Sequence, residues 1–201
     1  MITKTIWNRE SSQHLLSLPV MAMDVGYSAT ARSCGLAWAE DGNRGSDEMT
    51  HQAAITRLIE WLSGQDESVL ILEAPLSTAY REGNPAMRGP FEQQKTDSTT
   101  KTRVWYSGPG AAVTLAALNI LRRLQMEAAL AATTVHLLEG FVSFGDLRSH
   151  REVAESLRDA LIRQTGTWHQ VDAALETLTV TALLGIEGTT QPPAIIVPPS
   201  V

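Results

Sequence analysis

The sequence predicts an α/β fold, a central sheet covered by helices on both faces, on three observations. Two short runs, Leu18–Asp24 and Ser68–Glu73, are apolar without polar alternation, as strands buried on both faces are. Between them, Ala53, Ile55, Leu58, Ile59 and Leu62 fall at helical spacing, and Gly64 stops the pattern. Strand-like and helix-like segments also interleave along the chain, which is the order of a mixed sheet with helices on either side.

Composition is consistent with that class. With 201 residues, 43% hydrophobic and 19% charged, the chain is long enough for one domain with a real core. A formal charge of −6 argues against attraction to nucleic acid through bulk charge, which normally shows as a basic face. The single cysteine, Cys34, excludes an internal disulfide and a Cys-rich zinc site, and its strand-like setting predicts a small buried hydrophobe. No run approaches the roughly 18 apolar residues needed to cross a bilayer, so no membrane partner is expected. Leu15–Met23 has the length of a signal-peptide core, but Glu10 and Pro19 break that pattern, and a cytoplasmic protein is the expectation.

In order, residues 1–17 read as a polar arm or short leading element, and 18–188 as the domain. After the Leu18–Asp24 strand, a small polar turn leads to a second strand, Ser33–Ala39, antiparallel to the first. Asp41–Asp47 is rich in turn residues and reads as a loop, with only a weak third-strand signal in Glu48–Gln52. Ser68–Glu73 is the strongest strand and ends at Ala74-Pro75. Residues 77–108 show no apolar period and read as a long irregular loop. It carries Arg81, Arg88, Lys95, Lys101 and Arg103, either as a solvated insertion or as a basic lid that contacts substrate phosphates. Gly108-Pro109-Gly110 lacks the Lys-Ser/Thr of a P-loop and reads as the entry to a helix running to about Glu127. Thr133–Glu139 is another strand, Leu147–Gln164 a charged surface helix and Trp168–Leu184 a last helix. The Pro-rich tail, 189–201, is predicted to lie extended against the domain or a partner, including a second copy of the chain.

Acids recur at the strand ends. If the Asp24 and Glu73 strands are parallel neighbours, both carboxylates emerge at the sheet edge where open α/β sheets bind ligands. Two ionised carboxylates about 4 Å apart repel by roughly 4 kcal/mol at an effective dielectric near 20. A shared proton, a basic side chain or a divalent cation must offset that, and an oxygen-only ligand set suits Mg²⁺ or Mn²⁺. Asp172 lies in the first turn of the predicted last helix, where the helix dipole alone also favours an acid. Glu176 and His169 share its face, and Glu139 ends its strand as Asp24 and Glu73 do; these three are secondary candidates. Glu40 ends a strand that runs the other way and is excluded.

The segments Asp24-Val-Gly-Tyr, Leu-Glu73-Ala-Pro-Leu and Val-Asp172-Ala-Ala-Leu, in that order, resemble the ribonuclease-H-like superfamily. The likeness is to its uncharacterised branch of predicted nucleases and covers roughly residues 18–185. It implies a five-stranded mixed sheet and a metal-dependent nuclease in which Asp24, Glu73 and Asp172 are the catalytic ligands for Mg²⁺ or Mn²⁺ and nucleic acid is the partner. The acidic net charge and the weak third strand depart from that pattern. Two other readings use the same scaffold. One is a phosphotransferase or phosphohydrolase acting on nucleotides or phosphorylated small molecules, and the other is a non-catalytic interaction module.

Overall fold

The computed structural model describes residues 2–4, 9–80, 109–142, 149–169, 178–181 and 194–199. A short strand β1 (Ile2–Lys4) and helix α1 (Arg9–Ser17) lead into β2 (Val20–Asp24), β3 (Cys34–Glu40) and β4 (Asn43–Met49). Helix α2 (His51–Ser63), β5 (Glu67–Glu73) and β6 (Ser77–Tyr80) follow. Next come α3 (Pro109–Met126), a 3₁₀ turn (Ala128–Leu130), β7 (Thr134–Gly140) and α4 (His150–Ile162). Three strands close the described chain: β8 (Thr167–His169), β9 (Leu178–Thr181) and β10 (Ile195–Val197).

The fold is α/β with a mixed sheet in the order β4-β3-β2-β5-β7-β10-β8, and β1 also pairs with β7. The β4-β3-β2 part is antiparallel and the β2-β5-β7 part is parallel. This is wider than the five strands the resemblance implies. The difference comes from short segments added beyond β7, of two or three paired residues each, too brief to show a period in the sequence.

Two apolar layers enclose the sheet. On one face Met21, Met23, Leu70, Leu72 and Leu137 pack with α2 and α3 through residues such as Leu58, Leu62, Ile120 and Leu121. On the other, Val20, Ala22, Val69, Ile71 and Leu138 pack with Leu15 of α1 and Leu157 and Leu161 of α4. Strand residues alternate between the layers, as the two-residue strand period requires. Each such fully buried side chain is worth about 1.5–3 kcal/mol over leaving it in water.

Three expectations change and one gains detail. Asp41–Asp47 is not a loop: only Asp41 and Gly42 turn, with φ of 47° and 80°, and β4 begins at Asn43. Positive φ at both central residues is the type I′ hairpin geometry that an Asp-Gly pair favours. Strand β4 is polar and largely exposed, so it has no apolar signature. Where the helix predicted over Trp168–Leu184 is described, it is strand: Trp168 and His169 end β8, paired with β10, and Leu178–Thr181 form β9, paired with β6; the other residues of that range lie outside the described ones. Thr179-Val180-Thr181 carries the β-branching that favours a strand. The irregular segment begins later than 77, because Ser77–Tyr80 forms β6; residues 81–108 lie outside the described residues. Of the Pro-rich tail only residues 194–199 are described; they are extended, as expected, and add the sheet strand β10, with Ala194, Ile195 and Ile196 fully buried.

Helix α4 is placed by both its cap and a gap. Ser149 and Glu152 form a reciprocal capping box that starts it. Its first turn then lies directly on β3, since a Cβ added to Gly35 would stand 1.8 Å from the His150 carbonyl oxygen. Farther along, Arg158 Nη1 donates to the Gly45 carbonyl at 3.1 Å, tying the helix to β4. Gly35→Ala is therefore expected to destabilise the protein by about 1–3 kcal/mol in urea unfolding, the usual cost of overpacking. Gly64→Ala is the control. Its Cβ would meet only the Trp61 carbonyl at 3.4 Å, with φ at −85°, and no comparable loss is expected.

Candidate active site

Register builds the site. In the parallel pair β2–β5, Asp24 stands opposite Glu73, the last residue of each strand. The same row runs across five strands as Glu48, Gly35, Asp24, Glu73 and Gly140. Paired residues on neighbouring strands share a face, so this row lies on the α4 side, continuing Val20 and Ala22 on β2 and Val69 and Ile71 on β5. Three acids and two glycines thus share one row at the sheet edge, with Asp24 and Glu73 side by side and a glycine flanking each. The glycines leave room for α4 to approach, and the acids face the space below its first turn.

Both central acids are nearly enclosed, Asp24 8% and Glu73 7% exposed. His150, the first residue of α4, donates from Nδ1 to Asp24 Oδ2 at 2.7 Å. The backbone N–H of Val142, just past β7, points at Glu73 Oε1 from 3.4 Å. Burial pushes the Asp24 carboxyl above its ordinary value, the His150 hydrogen bond pulls it back, and the charge of Glu48 raises it further. The Asp24 hydrogen bond raises His150, against burial, with Glu48 adding to the rise.

The exit from β2 is firmly held. The Gly26 carbonyl accepts from His51 Nδ1 at 2.8 Å and from Cys34 Sγ at 3.4 Å. A side chain at Gly26 would run into the Ser33 carbonyl, 1.8 Å from the Cβ position, so this turn requires glycine.

Of the residues singled out in the sequence, Asp24 and Glu73 come together as expected. Glu139 does not join them. It pairs in register with Leu72, so it points to the α2/α3 face, and it is fully buried there. His169 ends strand β8 instead of starting a helix, and its register partner Ile195 is the residue paired with Glu139, one row away from Asp24. Asp172 and Glu176 lie outside the described residues, as do Arg81, Arg88, Lys95, Lys101 and Arg103. Among the described residues, Asp24 and Glu73 belong to no group of three ligating side chains whose ligand atoms all lie within 4.8 Å of one another.

Sequence reasoning passed over His150 and Glu48. The Ser149–Glu152 capping box marks a helix start and so gives His150 a first-turn position, but nothing in the sequence says the helix docks on Gly35. Glu48 would have followed from reading Asp41-Gly42 as a two-residue hairpin, which fixes its pairing with Gly35. No protein-family model matches the chain, and no curated protein matches it.

Two measurements check the electrostatics. In metal-free protein, the His150 ring titration followed by NMR should have its midpoint above the ordinary histidine value of 6.5, and Asp24→Asn should lower it. The sign for stability follows. The His150 contribution is complete below the ordinary histidine value and is lost as pH rises through the raised folded value. Cys34 is fully buried and its thiol is pushed up to about 11 by that burial, so a disulfide reagent near pH 8 should leave it untouched until the protein is unfolded.

Proposed function

We propose that the chain is a divalent-metal-dependent hydrolase of phosphodiester bonds, a nuclease of ribonuclease-H-like type, with Asp24 and Glu73 as its central carboxylates. The observation that carries this reading is their in-register pairing at the carboxyl ends of adjacent parallel strands. Five consecutive strands, β4-β3-β2-β5-β7, give the mixed sheet such a protein needs, with helices on both faces.

The donor set fits Mg²⁺ or Mn²⁺. Both carboxylates are hard oxygen donors, and burial raises the cost of their charge, which a cation relieves. Asp24 and Glu73 would hold the ion, with Asp172 as the proposed third ligand. When bound, such an ion lowers the pKa of a water and stabilises charge on a phosphate. The remaining work falls to the chain itself. His150 fixes the orientation of the Asp24 carboxylate through Oδ2, leaving Oδ1 for the ion. The first turn of α4 limits water around both acids. The basic residues Arg81, Arg88, Lys95, Lys101 and Arg103 are proposed to hold the nucleic-acid backbone.

A second reading, a phosphohydrolase or phosphotransferase acting on a nucleotide, is favoured by Glu48. A third acid in the row repels a bare polyanion, whereas a nucleotide arrives as its Mg²⁺ chelate.

The test is cleavage of single-stranded, duplex, hybrid and branched substrates by the purified protein with Mg²⁺ or Mn²⁺. Asp24→Asn and Glu73→Gln should each lower the rate by about a hundredfold or more, the scale of losing a positioned catalytic group. No cleavage of any substrate, or cleavage undiminished in Asp24→Asn, would falsify the nuclease reading. A large nucleotide-dependent rise in Tm without cleavage would instead select the second.

A further inference from the structure

A different set of ligating side chains meets at the opposite end of the sheet. Glu67 opens β5, the strand that Glu73 closes, so the two acids lie about 20 Å apart along one strand at roughly 3.3 Å per residue. His136 lies on β7, two residues past Thr134, the register partner of Glu67. Glu67 and His136 share the α1/α4 face, in step with Val69 and Leu138. Helix α1 crosses that face with Leu15 in the core, and its neighbour His14 reaches over the strand ends.

The three side chains converge on one point. Glu67 Oε1 accepts from His136 Nε2 at 2.6 Å and from His14 Nε2 at 3.0 Å. One ligand atom from each residue lies within 4.8 Å of the other two, the one such grouping among the described residues. The two rings meet edge to face, 6.1 Å between centroids and 86° between planes, so their nitrogens approach from different directions. The His136, Glu67 and His14 side chains are 16%, 35% and 57% exposed, which seats the group at the surface with one side open to solvent.

We propose that His14, Glu67 and His136 form a site for a divalent transition-metal ion of the Zn²⁺ class. Two imidazoles and a carboxylate make a nitrogen-rich, borderline-soft donor set that selects Zn²⁺, Ni²⁺, Co²⁺ or Cu²⁺ over Mg²⁺. That preference is opposite to the one proposed for the oxygen-only pair Asp24 and Glu73. To take the ion, each imidazole adopts the tautomer protonated at Nδ1, exchanging the proton through water, so that the Nε2 lone pair now turned to Glu67 becomes the ligand; a doubly protonated ring releases its Nε2 proton to solvent. The open side leaves coordination positions for water.

The location gives the ion a job. Thr3 of β1 pairs with His136 of β7, and His14 belongs to α1, so the residues that precede β2 touch the sheet at this point. A metal bridging α1 to β5 and β7 cross-links that leading segment to the core. The site is an accessory, stabilising one, and none of its ligands belongs to the row that contains Asp24.

The experiment is calorimetric titration of the untagged full chain, first stripped with chelator, with Zn²⁺ and separately with Mn²⁺, alongside the Co²⁺ visible spectrum. One equivalent of Zn²⁺ should bind with Kd on the order of micromolar or below, and Tm should rise with Zn²⁺ concentration as linkage requires. Glu67→Gln and His136→Ala should each weaken Zn²⁺ by about tenfold or more. His14→Ala, at a half-exposed position that should not disturb folding, should do the same and abolish the Co²⁺ spectrum while leaving Mn²⁺ uptake unchanged. Binding weaker than millimolar, or binding and spectrum unaltered in His14→Ala, overturns the proposal. Because Mn²⁺ uptake is read separately on Asp24→Asn, failure here and failure at the carboxylate pair are told apart.

Discussion

Parallel pairing of β2 with β5 places Asp24 beside Glu73, and everything else at that edge of the sheet adjusts to two buried acids side by side. At paired positions the side chains of neighbouring strands point the same way, so a one-residue slip would send one acid to the α2/α3 layer and separate them. The register is held by Met21, Met23, Leu70 and Leu72 on one face and Val20, Ala22, Val69 and Ile71 on the other. Core packing therefore sets the chemistry. The acids are adjacent because the residues behind them have only one way to bury themselves.

Burying Asp24 there carries a desolvation cost that the surroundings relieve only in part. His150 offsets it at Asp24 through one hydrogen bond, yet burial still leaves the carboxyl raised, and Glu48 adds negative charge in the same row. A buried carboxyl held above its ordinary value, as at Asp24, marks a candidate site and not an inert core position. The bare Gly35 and Gly140 belong to the same design, since a side chain at either position would collide with α4.

The central strands were legible in the sequence because burial on both faces leaves an unbroken apolar run, as in Met21–Met23 and Val69–Leu72. The parallel relation of Asp24 and Glu73 stood only as a condition in the sequence, and the pairing of β2 with β5 meets it. What escaped reading was set by tertiary contact or by edges. Strand β4 is polar because it lies at the rim of the sheet, and the short β8 and β10 hold only through each other and β7. The segment over 168–184 carries two periods at once, and pairing with β6 and β10 decides for strands where they are described. His150 and the trio His14, Glu67 and His136 are assembled from distant parts of the chain, 126 residues apart for His150 and Asp24 and 53 for His14 and Glu67. No local pattern could have joined them.

The outer edge of β7 is completed by two pieces from far-separated parts of the sequence. Ile2–Lys4 lies along Val135–Leu137, and Ile195–Ile196 lies along Glu139–Gly140. During synthesis the first piece has waited for more than half the chain before its partner exists, and β7 then presents an open rim until residues near 195 are made. A bare rim on a central strand is a template for unwanted pairing, and such late, long-range closure slows folding. The final strand is short and apolar, and once inserted it removes that rim. The rim of β7 is thus covered only once both distant pieces are in place, which keeps a central strand from serving as a template for other chains.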